Sequence, residues 1–369
     1  MKICVISHSA VVDLYREKFH RLAALGERLE LHLVLPAGWP EGNRWVEAPP
    51  PGDEQGVHIS VFPVRWAGKV GGFYLPGLTP WLRRLQPDIL HLEEEPYAVI
   101  SLQAAGALRP KKTRVLFFTW ENIRRRYKLP LAWIDGWMLR RAQCALAGNQ
   151  EAAEVLRLRG FDRPITVFPQ YGVNPDLFAP SATPAVHEVF TLGYFGRLLP
   201  EKGIPVLLQA ASALPFPYRL LITGQGPMAE VLRRQAEQLG IAERVEFRPA
   251  VPLAAMPAAY RELDALVLPS ETRPDWKEQF GRVLTEAMAC GVPVVGSSSG
   301  EIPHVIADAG LVFPERDAEA LRAQLIRLQG SPELRRDLAR RGRERVLAHF
   351  TTERVARRTL EVYRKMLED

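Results

Sequence analysis

The amino-acid sequence predicts an α/β protein with two similar domains in tandem, and three observations support this prediction. The chain has 369 residues, which at roughly 100–200 residues per domain indicates about two domains. Short apolar runs alternate with segments whose apolar residues recur at helical spacing, as in parallel strands joined by crossover helices. The hydrophobic fraction of 47% and the charged fraction of 24% exclude a disordered or fibrous chain.

The first half of the chain contains five predicted strands. They are short buried runs, and a helical pattern over residues 14–28 follows the first of them. The predicted strands cover residues 2–7, 30–35, 57–61, 88–92 and 114–119. Because such strands form a parallel sheet, we expect ligand sites at their carboxyl ends.

The second half repeats this pattern. Its predicted strands cover residues 189–195, 219–223, 245–247, 265–268 and 293–295, and its predicted helices cover 204–213, 228–239, 283–289, 319–329 and 332–349. Residues 169–188 are rich in Pro, Gly, Asn and Ser, a composition typical of a linker. The amphipathic segment 352–367 predicts a last helix.

Positive charge is concentrated in the N-terminal half. Residues 1–180 hold 23 basic and 18 acidic side chains, a net charge of +5, whereas residues 181–369 hold 25 and 24, a net charge of +1. This asymmetry indicates either solubility alone or an anionic partner such as a membrane surface. The three cysteines, Cys4, Cys144 and Cys290, lack the spacing of a metal site and indicate reduced thiols in a cytoplasmic protein.

A basic and aromatic segment covers residues 122–141. It combines six Arg and Lys side chains with Trp133 and Trp137, and an apolar, glycine-rich segment covers residues 66–80. Two interpretations stay open: an ordinary helix with a solvated face, or a peripheral contact with the inner face of an anionic membrane. No apolar run reaches the roughly 18 residues of a transmembrane helix. We expect no nucleic-acid partner, because no basic patch has the interleaved aromatic residues of a base-stacking surface.

Two carboxylates in the segment 270–300 are candidates for ligand binding. If Glu278 and Glu286 lay on one helix, they would be about 12 Å apart, too far for the roughly 5 Å that a retaining glycosidase pair needs. They could instead bind two hydroxyl clusters of one extended ligand. Phe280 and Gly281, between them, are predicted to open a helix whose amides could face an anion.

A second candidate element is the sequence FGRLLPEKG at residues 195–203. It follows a predicted strand and precedes a predicted helix. Arg197 and Lys202 therefore lie at a strand-to-helix turn, where two cations suit a diphosphate. The pattern G-x-G-x-x-A at residues 224–229 would suggest a dinucleotide site. However, no acidic residue ends the next strand and Pro227 removes an amide, so we do not expect NAD.

Taken together, these motifs resemble those of the family 4 glycosyltransferases of the GT-B fold, and the resemblance spans nearly the whole chain. Glu278 and Glu286 form the Glu-x7-Glu pattern, which is followed by EAMACGVPVVGS, by GEIP at residues 300–303 and by DAGLVF at residues 308–313. The sequences FGRLLPEKG and PQYGVNPDLF also match the family. Any one of these motifs is moderately specific, and their order makes the set strong.

The resemblance implies a GT-B architecture, with two Rossmann-like α/β domains facing a cleft. Residues 1–175 would form the N-terminal, acceptor-side domain, and residues 176–350 the C-terminal domain that binds the nucleotide-sugar donor. Residues 351–369 would form a C-terminal helix that crosses back and packs on the N-terminal domain.

The resemblance also implies roles for individual donor-side residues. Arg197 and Lys202 would hold the donor diphosphate and stabilise the leaving group, while Glu278 would bind sugar hydroxyls and Glu286 ribose hydroxyls. The amides around Phe280 and Gly281 would contact sugar or phosphate. The remaining donor-side positions are Gly196, Gly224, Leu284 and Thr285, the last two near the phosphates.

The implied reaction transfers a hexose-type sugar from a nucleotide-diphosphate sugar to a saccharide or lipid-linked acceptor, as in polysaccharide biosynthesis. UDP is the favoured nucleotide and GDP the alternative. The family retains the anomeric configuration and uses no enzyme-bound metal or cofactor, and the sequence contains no Asp-x-Asp. Two other interpretations are a sugar-nucleotide epimerase of the same fold and a non-catalytic sugar-nucleotide binding protein.

The acceptor side departs from the family pattern. Residues 7–13 contain no glycine where many relatives carry a Gly-Gly loop, and Trp120-Glu121-Asn122 stands where relatives often carry a His-Asp pair. Either Glu121 or His8 could contact the reacting region, although Glu121 could equally be a helix-start residue. The acidic run from Glu93 to Glu95 follows a strand end and would face the cleft, or lie in a solvated loop. The acceptor-side candidates are His8, Glu93, Glu95, Trp120 and Asn122, with Glu121 as a catalytic candidate.

Overall fold

The chain divides into two compact units in the computed structural model, which describes residues 1–26, 28–42, 44–181 and 188–368. Unit 1 comprises Met1–Gly172 and Thr352–Asp369, and unit 2 comprises Val173–Thr351. The sequence places these boundaries after residues 175 and 350, whereas the structure divides the chain after Gly172 and Thr351. Residues 182–187 of the expected linker lie outside the described residues.

Unit 1 is built on a sheet whose strands are joined by helices. Its strands are β1 (Lys2–Ile6), β2 (Glu30–Pro36), β3 (Gly38–Glu41), β4 (Arg44–Glu47), β5 (Gly52–Glu54), β6 (Val57–Phe62), β7 (Ile89–Leu92), β8 (Arg114–Thr119), β9 (Cys144–Ala147) and β10 (Ile165–Val167). Its first helices are α1 (Asp13–Leu25), α2 (Leu78–Leu85), α3 (Val99–Ala107), α4 (Leu131–Arg141) and α5 (Gln150–Leu158). All five strands predicted in this half are present.

The sheet of unit 1 has the order β10-β9-β8-β7-β1-β2-β6-β5. All its neighbouring strands are parallel except the edge pair β5 and β6, and β3 and β4 form a separate antiparallel hairpin. Strands β7 and β9 are buried along their whole length, which requires apolar residues at consecutive positions. The sequence did not predict β3, β4, β5, β9 and β10, each of which is only three or four residues long.

Unit 2 has a second, wholly parallel sheet with the order β13-β12-β11-β14-β15-β16. Its strands are β11 (Phe190–Phe195), β12 (Tyr218–Thr223), β13 (Val245–Arg248), β14 (Ala265–Leu268), β15 (Val294–Ser297) and β16 (Leu311–Phe313). Its helices are α6 (Ile204–Ser212), α7 (Ala229–Gln238), α8 (Met256–Tyr260), α9 (Arg282–Ala289), α10 (Ile302–Ile306), α11 (Ala318–Gly330) and α12 (Pro332–His349). The five predicted strands and five predicted helices of this half are all present.

Each sheet has one point where the direction of strand addition reverses. In unit 1 the chain adds β2 and β6 on one side of β1, and β7 to β10 on the other side. In unit 2 it adds β12 and β13 on one side of β11, and β14 to β16 on the other. Loops diverge from the carboxyl ends of the strands at such a switch point and leave a crevice there. The two candidate positions are therefore the ends of β1 and β7, and the ends of β11 and β14.

The last helix, α13 (Thr352–Glu368), packs on unit 1 through one apolar face. Its Tyr363 is fully buried, and the phenol oxygen lies 2.6 Å from His91 Nδ1 on β7. Burial lowers the pKa of His91 to about 4, so this imidazole is neutral at pH 7. The predicted last helix therefore exists and packs on the unit that contains the N-terminus.

A buried ion pair lies beneath the carboxyl end of β7. Lys18 on α1 donates to the carboxylate of Glu93, and both side chains are almost completely buried. Burial raises the pKa of a carboxyl group, but the Lys18 ammonium outweighs it and lowers the pKa of Glu93. The pair ties the first helix to the strand end that carries the acidic run.

Substituting Lys18 by Met should destabilise unit 1 by about 3–5 kcal/mol, because it leaves the Glu93 carboxylate buried without its cation. Denaturant unfolding followed by circular dichroism measures this loss. The double variant K18M/E93L should recover most of it, since it removes both charges. In R21A, which removes an exposed pair with Glu17, the change should stay below about 0.5 kcal/mol. Equal losses in K18M and R21A would contradict the account of the pair.

Candidate active site

The switch point of unit 2 brings Lys202 and Glu278 into direct contact. Lys202 lies in a short turn after β11, and Glu278 lies in the loop between β14 and α9. The Lys202 ammonium donates to Glu278 Oε2 at 2.6 Å, and the Ser270 hydroxyl donates to the same oxygen at 2.8 Å. The ammonium also lies 4.6 Å from the ring centroid of Trp276. Two residues separated by 76 positions therefore form one charged pair at the expected edge of the sheet.

Two glycines allow the loops to approach closely enough for this contact. Gly203 follows Lys202 with φ +63°, and a Cβ atom there would collide with the carbonyl oxygen of Pro269 at the end of β14. Gly300 has φ +53°, and a Cβ atom there would collide with the backbone carbonyl of Glu278. Because only glycine adopts these conformations without strain and without the collision, both positions define the shape of the site.

The other predicted cation, Arg197, lies two residues beyond the end of β11. Its side chain is exposed, and its guanidinium has no side-chain partner among the described residues. Gly196 and Gly224 end the neighbouring strands β11 and β12, and the Gly196 amide donates to the carbonyl of Thr223 at 3.0 Å. An exposed guanidinium at a switch point can bind an anion through its fixed donors.

Glu286 does not share a helix with Glu278. Helix α9 begins at Arg282, so only Glu286 lies on it, and the 12 Å helical separation considered from the sequence does not apply. Glu286 is 3% exposed, and its Oε2 accepts a hydrogen bond from the Tyr260 hydroxyl at 2.7 Å. Its Oε1 lies 2.6 Å from Nε of Arg282. Burial and the nearby Glu286 carboxylate raise the pKa of Tyr260 well above its ordinary value, so the phenol stays a donor.

Phe280 and Gly281 precede α9, whereas Leu284 and Thr285 lie inside it. Gly281 caps the helix with φ +76°, and the ring of Phe280 lies edge-on to Phe350 at 5.6 Å. Leu284 and Thr285 are fully buried, and the Leu284 amide already donates to the Gly281 carbonyl at 2.8 Å. Leu284 and Thr285 are therefore core residues of the helix, and their expected position near the donor phosphates stays a prediction.

In unit 1, the switch point carries His8 and the acidic run. The backbone amide of His8 donates to Glu94 Oε1 at 2.7 Å, and its Nδ1 lies 2.8 Å from both carboxylate oxygens. Glu94 is buried and its side chain has no exposed surface. The acidic run is thus not a solvated loop, which was one of the two interpretations of the sequence.

Glu93 does not face an acceptor. Its side chain is fully buried against Lys18 and His91, so the structure removes it from the acceptor-side candidates. A side chain at the end of a parallel strand points to one face of the sheet or the other. Here Glu93 points to the face that α1 and α13 cover, and its neighbour Glu94 turns to His8.

Glu95 anchors the loop that follows β8. Its carboxylate accepts hydrogen bonds from the Thr119 hydroxyl at 2.6 Å and from the Trp120 amide at 2.9 Å. Desolvation raises the pKa of Glu95 to about 7 in spite of these donors. The indole of Trp120 donates to Gln170 Oε1 at 2.8 Å. Glu95 and Trp120 therefore meet at the ends of the neighbouring strands β7 and β8.

Glu121 is bound by two donors inside unit 1. Arg159 Nη1 lies 2.5 Å from its Oε2, and the Tyr127 hydroxyl donates to its Oε1. Arg159 also pairs with Asp135 on α4. Glu121 is not a helix-start residue, because the next helix begins at Leu131. The hydrogen bonds from Arg159 and Tyr127 hold Glu121 within unit 1, and the sequence did not indicate these contacts.

Asn122 is also buried, and its amide donates to Glu151 on α5 at 3.3 Å. The segment 122–141 is therefore not one helix: residues 122–130 form an irregular loop, and only Leu131–Arg141 is helical.

Several residues that contact the predicted site residues could not be identified from the sequence. Ser270, Trp276 and Tyr260 each touch a predicted residue, yet none belongs to a motif that indicates this contact. Arg282 and Arg159 pair with predicted glutamates in the same way. Only Glu94 had a sequence signal, since it lies inside the acidic run.

The part of the chain that the structure describes contains neither a candidate metal site nor a helix that could span a membrane. Across residues 1–26, 28–42, 44–181 and 188–368, no group of three or more His, Cys, Asp or Glu side chains is placed to hold a metal ion. In the same part of the chain, the helices are too short or too polar to cross a membrane.

The chain is similar to known glycosyltransferases along most of its length. A family model described as "Glycosyl transferases group 1" matches residues 179–345, and one described as "Glycosyl transferase 4-like domain" matches residues 15–170. The chain is 36% identical over 171 residues to the D-inositol 3-phosphate glycosyltransferase of Mycolicibacterium smegmatis, a match covering 43% of this chain and 38% of that protein. It is 35% identical over 176 residues to the GDP-mannose-dependent alpha-(1-6)-phosphatidylinositol monomannoside mannosyltransferase of the same organism, covering 44% and 46%.

These alignments span less than half the length of either curated relative. A solved structure of Anabaena HepE in complex with UDP has the same fold, with a TM-score of 0.75, 16% identity and coverage of 99% of this chain and 100% of that chain. The family is shown by two family models that together cover residues 15–170 and 179–345. The similar proteins that are named as glycosyltransferases agree with it. The chain belongs to the family 4 glycosyltransferases of the GT-B fold.

Proposed function

We propose that the protein transfers a hexose-type sugar, with retention and without a metal, from a nucleotide-diphosphate sugar to a saccharide or lipid-linked acceptor. UDP is the favoured nucleotide, and GDP is the alternative. The observation that supports this proposal is the Lys202–Glu278 pair at the switch point of unit 2, where Lys202 shares the segment between β11 and α6 with the exposed Arg197.

The charges at this switch point suit a diphosphate leaving group. As the bond to the sugar breaks, negative charge develops on the diphosphate oxygens. Arg197 and Lys202 would bind these oxygens, so that fixed cations stabilise the charge where a metal otherwise would. Glu278 would accept hydrogen bonds from sugar hydroxyls, with its carboxylate aligned by Lys202 and Ser270.

Glu286 would bind the ribose of the nucleotide. Tyr260 occupies one of its oxygens, and Arg282 lies against the other. The Arg282 side chain is 27% exposed, so a ribose hydroxyl can replace it at Oε1 without disturbing the buried Tyr260 contact. The nucleotide itself stays a proposal, because one relative is named for GDP-mannose and one structural neighbour holds UDP.

Incubation with UDP-, GDP- and ADP-sugars, each with and without EDTA, tests the proposed reaction. We expect free nucleotide diphosphate from one donor and an equal rate in EDTA, because the cations that stabilise the leaving group belong to the protein. The anomeric configuration of the product, read by NMR, reports retention. An epimerase would give a new sugar nucleotide and no free diphosphate, and a binding protein would give neither. Loss of activity in EDTA would contradict the metal-independent mechanism.

Replacing Arg197, Lys202 or Glu278 by Ala should each lower kcat by about 10²-fold or more, since each removes a charged group from the leaving-group or sugar site. The rate of nucleotide diphosphate release measures the effect. The matched control is R219A, which removes an exposed cation of the same unit paired with Glu246. We expect R219A to keep the wild-type rate. Near-normal rates in all three alanine variants would refute the site.

We further propose that the protein acts in the cytoplasm and touches the anionic inner face of the membrane through unit 1. The three exposed tryptophans of the described chain, Trp45, Trp66 and Trp133, all lie in this unit, and Leu129 is 80% exposed. The loop that contains Trp66 adjoins both the β3–β4 hairpin and the start of α4. Exposed Arg124, Arg125, Arg126 and Lys128 precede α4. Exposed indoles beside cations favour an anionic lipid surface.

Vesicle flotation tests this membrane contact. The wild type should float with vesicles that contain anionic phosphatidylglycerol and stay behind with neutral phosphatidylcholine, because the cations need an anionic surface. The double variant W66S/W133S should float severalfold less. The control L347S, at an exposed apolar position of unit 2, should behave as the wild type. A wild type that does not bind the anionic vesicles would end the proposal.

A further inference from the structure

Unit 2 contains a second cleft, at the edge of its sheet opposite to the Lys202–Glu278 pair. Asp264 and Pro293 line this cleft and directly precede β14 and β15, so it lies at the amino ends of these strands. Helix α12 forms one of its walls. The cleft has a volume of about 330 Å³, which is within the range of sites for small molecules.

Three arginines line this cleft. Arg261 lies at the end of α8, and Arg335 and Arg336 lie next to each other on α12. Among the described residues of the lining, Asp264 is the one acidic residue, and its Oδ2 accepts a hydrogen bond from the Thr191 amide at 2.8 Å. The lining therefore carries more positive than negative charge.

Backbone carbonyls hold two of the three guanidinium groups. Arg261 Nε donates to the carbonyl of Ala179 at 2.8 Å. Arg335 Nη1 donates to the carbonyls of Leu328 and Gln329, at the end of α11, at 2.5 and 2.7 Å. A carbonyl is neutral, so these contacts orient the guanidinium groups and leave their charges uncompensated. Within the described ranges, none of the three arginines forms an ion pair.

Other arginines of the same helix are paired with carboxylates. Arg340 and Arg341 both contact Asp337, one turn earlier on α12. Arg336 is exposed and lies beside Arg335 on the wall of the cleft. Like charges that line one cleft repel each other, and an anion bound between them would remove this repulsion.

The floor of the cleft is apolar and uncharged. Leu263, Cys290 and Val292 line it and are 5%, 4% and 4% exposed. Burial raises the pKa of the Cys290 thiol to about 12, so this group stays neutral at pH 7. The floor therefore does not offset the charge of the arginines, and it offers an apolar surface to the uncharged part of a ligand.

We propose that this cleft is a second anion site, which binds the phosphate group of a small phosphorylated compound through Arg261, Arg335 and Arg336. The planar donor fork of a guanidinium matches the oxygens of a phosphate group. The apolar floor would contact the rest of the compound. The inference does not rest on the proposed function, because the Lys202–Glu278 pair lies at the other edge of the sheet.

Calorimetric titration with inorganic pyrophosphate tests the site. The titration uses the R197A/K202A variant, which lacks the two cations proposed to bind the donor diphosphate. We expect this variant to keep a pyrophosphate site. Adding R336E should weaken its affinity by about tenfold or more, because a carboxylate replaces a charged donor.

Two further variants separate the shape of the cleft from the charge of unit 2. Adding A339F should also weaken binding, because Ala339 lines the cleft and a phenyl ring would fill part of it without a change of charge. The control is R234E, which changes an exposed arginine of α7 in the same unit. It should leave the affinity unchanged.

Thermal unfolding gives a second measurement and shows that each variant is folded. Pyrophosphate should raise the Tm of R197A/K202A, because a ligand that binds the folded state stabilises it. It should raise the Tm much less after R336E is added. Three results would overturn the inference: no pyrophosphate binding in R197A/K202A, equal affinities after addition of R336E and of R234E, or an affinity that A339F does not change.

Discussion

The reversal of strand order in two parallel sheets is the constraint on which the rest of the structure depends. In each unit, the two strands that flank the reversal send their next residues away from each other, so a crevice forms without any particular side chain. In unit 2 the crevice receives Lys202 from one side and Glu278 from the other. In unit 1 it receives His8 and Glu94. Both contacts pair a cationic or basic group with a carboxylate, because an isolated charge at a partly buried strand end would be costly.

The two pairs differ in what they leave available. Lys202 and Ser270 both donate to the same carboxylate oxygen of Glu278. The exposed Arg197 adds a second positive charge to the segment that follows β11. Unit 2 thus presents two cations that, under the proposed function, would stabilise the charge developing on the leaving group. The carboxylate of Glu94 is fully buried and serves only to hold His8. Unit 1 thus presents a histidine whose Nδ1 and backbone amide are both held by one buried carboxylate.

Most strands could be predicted from the sequence because their burial requires consecutive apolar residues. The strands that the sequence did not predict have only three or four residues, too few to show a period; they are β3, β4, β5, β9, β10 and β16. The position of Arg197 and Lys202 at a strand-to-helix turn could also be predicted, since both lie within one local motif. The partners Ser270, Tyr260 and Arg159 could not, because their contacts depend on how distant loops meet.

The acidic run at residues 93–95 shows why local sequence cannot assign a site on its own. Three identical side chains follow one strand, and the structure gives each a different environment. Glu93 turns into the core toward Lys18, Glu94 holds His8, and Glu95 anchors the loop after β8. Successive side chains of an extended chain point to opposite faces of the sheet. The groups on each face then determine which contacts each glutamate makes. Only the middle glutamate meets His8, so the environment of each glutamate is set by what α1, β1 and β8 bring beside it.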